Sequence, residues 1–142
     1  MMCKRSYGIL LLAVALAAAL SGCATGKAPV SDEASIRETL AVLKAGLEGH
    51  NLDLILSVVS EEFVSDEGGS KTDFREYVAQ LIDDGILSGA KMNLETARVT
   101  IEKDMATAEN VALSGDRGAA QLDMDLKRES GGAWRIVGLQ AF

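Results

Sequence analysis

Ala120-Gln121-Leu122-Asp123-Met124-Asp125-Leu126-Lys127 alternates apolar and polar residues without a break. A period of two puts Ala120, Leu122, Met124 and Leu126 on one face of a strand and Gln121, Asp123, Asp125 and Lys127 on the other. One buried face and one wet face is the habit of an antiparallel sheet. Downstream, Gly131-Gly132 supplies a turn, and Trp134 to Phe142 reads as a strand apolar on both faces, hence buried on both sides. Upstream the same period continues. Leu94 to Glu102 carries Ala97, Val99 and Ile101 on one face, and Thr107 to Ser114 carries Val111 and Leu113, with Lys103-Asp104-Met105 as the turn between them. The C-terminal third is therefore a four-stranded antiparallel meander.

Before residue 90 the period is helical. Ile36, Leu40, Leu43 and Leu47 recur at the spacing of one helix face, behind a start at Ser31 or Asp32 and ahead of Gly49 as the residue past the end. A second helix begins near Asn51 or Asp53 and carries Leu54, Ile55, Val58, Val59 and Phe63, until the loop Ser65-Asp66-Glu67-Gly68-Gly69-Ser70-Lys71 breaks it. A third is capped by Thr72 or Asp73, buries Phe74, Tyr77, Val78, Leu81 and Ile82, and stops at Gly85. Helices followed by a meander make an α+β domain.

The first residues have a different character. Lys4 and Arg5 precede an uncharged run from Gly8 to Leu20, the form of a secretory leader. The alternative, an uncleaved anchor, is disfavoured because a membrane helix needs about 20 apolar residues. Leu20-Ser21-Gly22-Cys23 follows and resembles the lipobox of bacterial lipoproteins. That resemblance implies cleavage before Cys23, a diacylglycerol on its thiol and attachment to a membrane. Several acyl chains anchor firmly where one holds only marginally. In Gram-negative lipoproteins an Asp after the lipidated Cys retains the protein in the inner membrane. Ala24 stands there, which points to the outer membrane, facing the periplasm. The expected organisation is a signal peptide over 1–22, the lipidated Cys and a flexible tether over 23–31, and one domain over 32–142.

Composition agrees with a single exported domain. The chain has 142 residues and two cysteines, so loss of Cys3 with the leader and use of Cys23 for lipid leave no thiol for a disulfide, a thiolate metal site or a nucleophile. Removing residues 1–22 leaves 120, enough for one core. The net charge of −7 becomes −9 once Lys4 and Arg5 go, since 12 basic residues then face 21 acidic ones. Such a surface disfavours nucleic acid and anionic headgroups.

Three N-terminal helices, the junction Gly49-His50-Asn51-Leu52-Asp53 and the closing strand Gly132-Ala133-Trp134-Arg135-Ile136-Val137-Gly138 together resemble the nuclear transport factor two-like superfamily, over essentially all of Ser31 to Phe142. The resemblance implies that the sheet curves around the helices as a cone whose mouth admits a small apolar ligand. It places Tyr77 and Leu81 of the third helix, the inward strand positions Val99, Ile101, Val111, Leu113 and Met124, and Trp134 as lining of that pocket. It also implies a homodimer through the outer sheet face, where the charged row from Gln121 to Lys127 argues against a greasy interface. Members include isomerases, dehydratases and binding modules, and fold does not choose among them.

Enzymes of this kind that act on carbonyl compounds need a carboxylate base and a Tyr or protonated acid as donor in a dry site. The inward strand positions here cannot move a proton. His50, at the interhelix junction, reads as structural, and Tyr77 reads as a packed ring whose hydroxyl could serve as a donor. An EF-hand starting at Asp66 would need Gly at Lys71 and Glu at Tyr77, so that motif fails. Asp83-Asp84 reads as a helix end, and Asp123 with Asp125 as a solvated face. No catalytic residue, metal site or cofactor is expected. Two functions stand: a membrane-held module that binds a small apolar ligand or a partner, and an isomerase- or dehydratase-like enzyme using Tyr77 and a carboxylate.

Overall fold

The computed structural model describes residues 30–142. The expected leader, Cys23 and most of the tether lie outside the described residues. Three helices, α1 (Asp32–Glu48), α2 (Leu52–Ser57) and α3 (Lys71–Asp83), precede five strands, β1 (Lys91–Asn93), β2 (Arg98–Glu102), β3 (Met105–Gly115), β4 (Gly118–Arg128) and β5 (Trp134–Ala141). The fold class is α+β with an antiparallel sheet, as the periodicities require.

Ser31 caps α1 by accepting the Ala34 amide at 3.2 Å, and Asp32 and Glu33 sit in the first turn, where the helix dipole favours negative charge. Ile36, Leu40, Leu43 and Leu47 are buried along one face. The helix end differs from expectation by one residue. Gly49 keeps a right-handed conformation and its amide still bonds Ala45, while His50 takes the left-handed turn at φ 52°. Asn51 then donates to the Gly46 carbonyl at 2.8 Å and His50 to Leu47 at 3.3 Å, the paired bonds of a Schellman stop. The Asn51 side chain goes on to cap α2 through the Leu54 amide.

The second helix is shorter than its apolar pattern indicates. It ends at Ser57, and Val58 to Val64 instead runs along the free edge of β5. Ile136 donates to Val58, Ser60 donates back to Ile136, and Val64 donates to Val137. An open sheet edge exposes a row of unpaired amides and carbonyls, and the bridge that Val59 makes with Ile136 covers part of it. For α3 the cap is Ser70, in a reciprocal capping box with Asp73. The hydroxyl and amide of Ser70 hold the Asp73 carboxyl below its ordinary value.

The sheet has five strands where the alternation predicted four. The strand expected from Leu94 to Glu102 is confined to β2, Leu94–Ala97 forming a jog, and an additional short strand, β1, precedes it; both pair with β3. The cause lies in β3. A bulge between Ala108 and Val111 sets Asn110 at φ 60° and bends the strand, so one straight partner cannot follow its whole length. Asp123 accepts the Asn110 amide, Gln121 donates to its side chain, and Thr96 donates to its carbonyl. The outer face of β4 thus supports the bend that curves the sheet around α1. Its inner face, with Leu122, Met124 and Leu126, joins the core of α1, α2 and β5. Among the described residues that core draws on all three helices and the sheet, which is what a self-supporting domain needs.

Edge strand β1 is closed by α1 side chains. Glu48 accepts the Met92 amide at 3.0 Å and Lys44 donates to the Met92 carbonyl at 2.6 Å, while Lys44 and Lys91 flank the carboxylate at 3.2 and 3.7 Å. The Met92 amide first, then Lys44 and Lys91, hold the Glu48 carboxyl below its ordinary value near 4.5, against an opposing effect of partial burial. A depressed carboxyl stabilises the fold fully above the unfolded value and loses that contribution as pH falls through the folded value. The urea midpoint of wild type should therefore exceed that of Glu48→Gln at pH 7, and the gap should shrink on acidification below about pH 4.5. A gap independent of pH would show that the ionised carboxylate plays no part.

Candidate ligand pocket

The stripe of α3 is amphipathic, yet only Val78 in it is fully buried; Phe74, Leu81 and Ile82 are half-buried and Tyr77 is 60% exposed. The reason is a cavity beneath it. The helix leans on α2 and on the segment that follows it, where the Phe63 ring lies 4.9 Å from that of Phe74, and has no extensive contact with a strand. Between α3 and the sheet lies a space of about 320 Å³. Leu43 and Leu47 of α1 border it, as do Phe74, Tyr77, Val78 and Leu81 of α3 and Leu113, Leu122 and Leu139 of the sheet. Toward the β3–β4 turn the lining becomes Ser114, Gly115, Arg117, Gly118, Ala119 and Ala120, residues too small to fill the gap, apart from the guanidinium at the rim.

The segment after α3 closes one side. Gly85 turns the chain at φ 68°, and Ile86, Leu87 and Ala90 line the cavity. Two bonds tie this strap to the β3–β4 turn: Ser88 donates its hydroxyl to Asp116 at 2.9 Å and Asp116 donates its amide to the Ser88 carbonyl at 3.0 Å. Gly89 lies so close that a Cβ there would sit 2.5 Å from the Asp116 carboxylate. On the other side the Nε2 of His50 donates to the Leu87 carbonyl at 2.7 Å. A carbonyl only accepts, so Nε2 carries the proton and the ring pins the strap.

The residues proposed from sequence as pocket lining separate into two groups. Tyr77, Leu81 and Leu113 meet at the cavity. Tyr77 stands at its lip and not within a packed stripe, because the space beneath α3 leaves its ring without a neighbour on that side. Val111, Met124 and Trp134 are sealed in the core at 0, 2 and 1% exposure, away from the cavity. Val99 packs half-buried against that core, and Ile101 is 38% exposed at the far end of the sheet. All five are displaced from the expected lining for one reason: the cavity opens at the β3–β4 turn, and the sheet's other end is filled by α1 and α2. Leu43, Leu47 and Ala120 were read from the sequence as buried faces and not as lining, and Leu139, the strap and Arg117 were not singled out. Ser114-Gly115-Asp116-Arg117-Gly118-Ala119-Ala120 was the available signal, a run of small residues where a buried hairpin would carry large ones.

Among the lining residues there is no Asp, Glu or His. Asp123 serves the β3 bulge and Asp66 accepts from Gln140. Among the described residues no group of three His, Cys, Asp or Glu is placed to hold a metal ion. The arrangement can enclose a small apolar body and leave a polar end at Arg117, Ser114 and the Tyr77 hydroxyl.

No family model matches the sequence, and no curated protein matches it either. Solved structures do match in fold. A Nostoc punctiforme protein of unknown function with a cystatin-like fold aligns over 78% of this chain and 89% of its own, with 18% identity and TM-score 0.64. An NTF2-like protein of unknown function from Shewanella baltica aligns over 82 and 97%, with 16% identity and TM-score 0.63. A Shewanella frigidimarina protein provisionally called a ketosteroid isomerase aligns over 76 and 94%, with 19% identity and TM-score 0.61. This chain has the fold shared by cystatin-like and NTF2-like proteins.

Proposed function

We propose that this chain is an exported lipoprotein, anchored through Cys23 to the outer membrane, whose domain binds a small apolar ligand in the cavity beneath α3 without transforming it. The observation that supports binding is the cavity itself, about 320 Å³ of apolar lining at the lower end of the about 300–1,000 Å³ usual for small-molecule sites. Proton transfer at a carbonyl compound needs a positioned base, and no lining residue is a carboxylate or an imidazole. The Leu20-to-Cys23 tetrapeptide supports the anchor.

A second reading, an isomerase- or dehydratase-like enzyme, draws on Tyr77 at the cavity lip and on the fold shared with the protein provisionally called a ketosteroid isomerase. It requires a carboxylate to reach Tyr77 when a substrate is bound.

One experiment addresses binding and anchoring together. The full chain, expressed in a Gram-negative host, is extracted from the membrane fraction, and the protein and any co-extracted small molecule are weighed by mass spectrometry. The expected result is acyl mass on the peptide beginning at Cys23, absent in Cys23→Ala, and a bound apolar compound that Ala120→Phe excludes. A chain without acyl mass would end the lipoprotein reading. An empty wild-type cavity that also fails to take up an apolar probe would end the binding one.

A further inference from the structure

The cavity discriminates between the two ends of whatever enters it. Its inner surface offers hydrocarbon and aromatic side chains, so a polar group pushed inward would lose water and find no side-chain partner, at a cost comparable to an unmade hydrogen bond. The rim carries Arg117, the one formally charged residue of the lining. No described carboxylate forms an ion pair with it, its neighbour Asp116 being turned onto Ser88; Arg75, Arg98, Lys103 and Arg135 are likewise outside the described ion pairs, but none of them lines the cavity. The volume suits one chain or one ring system and not a two-chain lipid.

Taking the binding reading above as its premise, we propose that the ligand is a single-chain amphiphilic monoanion, a free carboxylate in the simplest case, with its tail beneath α3 and its head at Arg117. The head stays in water at an exposed rim, so the guanidinium contributes orientation and a modest preference, and the tail contributes most of the affinity. The net charge of −7 works against anions generally, which makes an unpaired guanidinium at the mouth the feature that admits one.

The test uses three probes with the same ten-carbon tail: decanoate, 1-decanol and decylammonium. Titration calorimetry on residues 30–142 at low ionic strength should show decanoate binding about five- to tenfold tighter than decanol, with decylammonium weakest. Arg117→Gln should abolish that order, bringing decanoate to or below the affinity of decanol measured on the same variant, and added salt should narrow the wild-type gap. Equal binding of all three, or an order that survives Arg117→Gln, overturns the head-group assignment and leaves the cavity as a site for neutral apolar molecules. No binding of any probe, or binding indifferent to Ala120→Phe, overturns the cavity reading itself.

Discussion

Trp134→Ala is expected to destabilise the domain by about 3–5 kcal/mol, a large part of the roughly 5–15 kcal/mol that holds a domain folded. The ring is 1% exposed, so its removal leaves a void as well as lost burial. Two further contacts go with it. The indole N–H donates to Asp32 at 3.2 Å, and the Arg128 guanidinium lies 5.3 Å from the ring centroid while pairing with the same Asp32. Trp134 thereby fastens the first turn of α1 to the first residue of β5. Trp134→Phe keeps most of the packing and forfeits the donor, so it should cost about 1–2 kcal/mol. Urea denaturation followed by far-ultraviolet circular dichroism measures both. A midpoint unchanged in Trp134→Ala would mean that the ring is not part of the core.

Gly46 should reverse the usual effect of replacing glycine within a helix. Gly→Ala in a helix interior ordinarily stabilises by about 0.5–1 kcal/mol. Here an added Cβ would stand 2.7 Å from Cγ1 and 2.9 Å from the backbone nitrogen of Ile55, where α2 crosses α1. The side-chain atom can turn away, but the backbone nitrogen is held by its bond to Asn51. Overpacking of about 1–3 kcal/mol therefore outweighs the helix propensity, and Gly46→Ala should destabilise by about 1–2 kcal/mol and Gly46→Leu by about 3 or more. Gly131→Ala, with open space around its Cβ, is the control and should be near neutral. A Gly46→Ala variant as stable as wild type would mean that the two helices do not meet this closely.

The legible parts were those in which one stretch of chain suffices. The α1 stripe, the Gly85 stop and the β4 alternation each follow from local periodicity, because burying one face requires the same spacing wherever the element sits. Errors arose where a distant partner decided. Phe63 shares a helical spacing with Ile55 and Val59, but β5 presented an unpaired edge, and the chain after Ser57 left the helix to satisfy it. Val99 and Ile101 alternate correctly and still miss the cavity, since alternation names a face and not a position along the sheet.

From its residues alone this chain shows α+β order, an acidic composition and a lipobox-like tetrapeptide at Leu20 to Cys23. These depend on composition and on contacts close in sequence. Only the tertiary structure decided where the cavity lies, that Tyr77 stands at its lip, that Arg117 guards its rim and that His50 pins its strap. Each of those depends on which elements approach one another, and that is set by the bulge at Asn110 and by the gap between α3 and the small residues of the β3–β4 turn. A void is the absence of a side chain seen from several directions at once, and no single stretch of sequence records it.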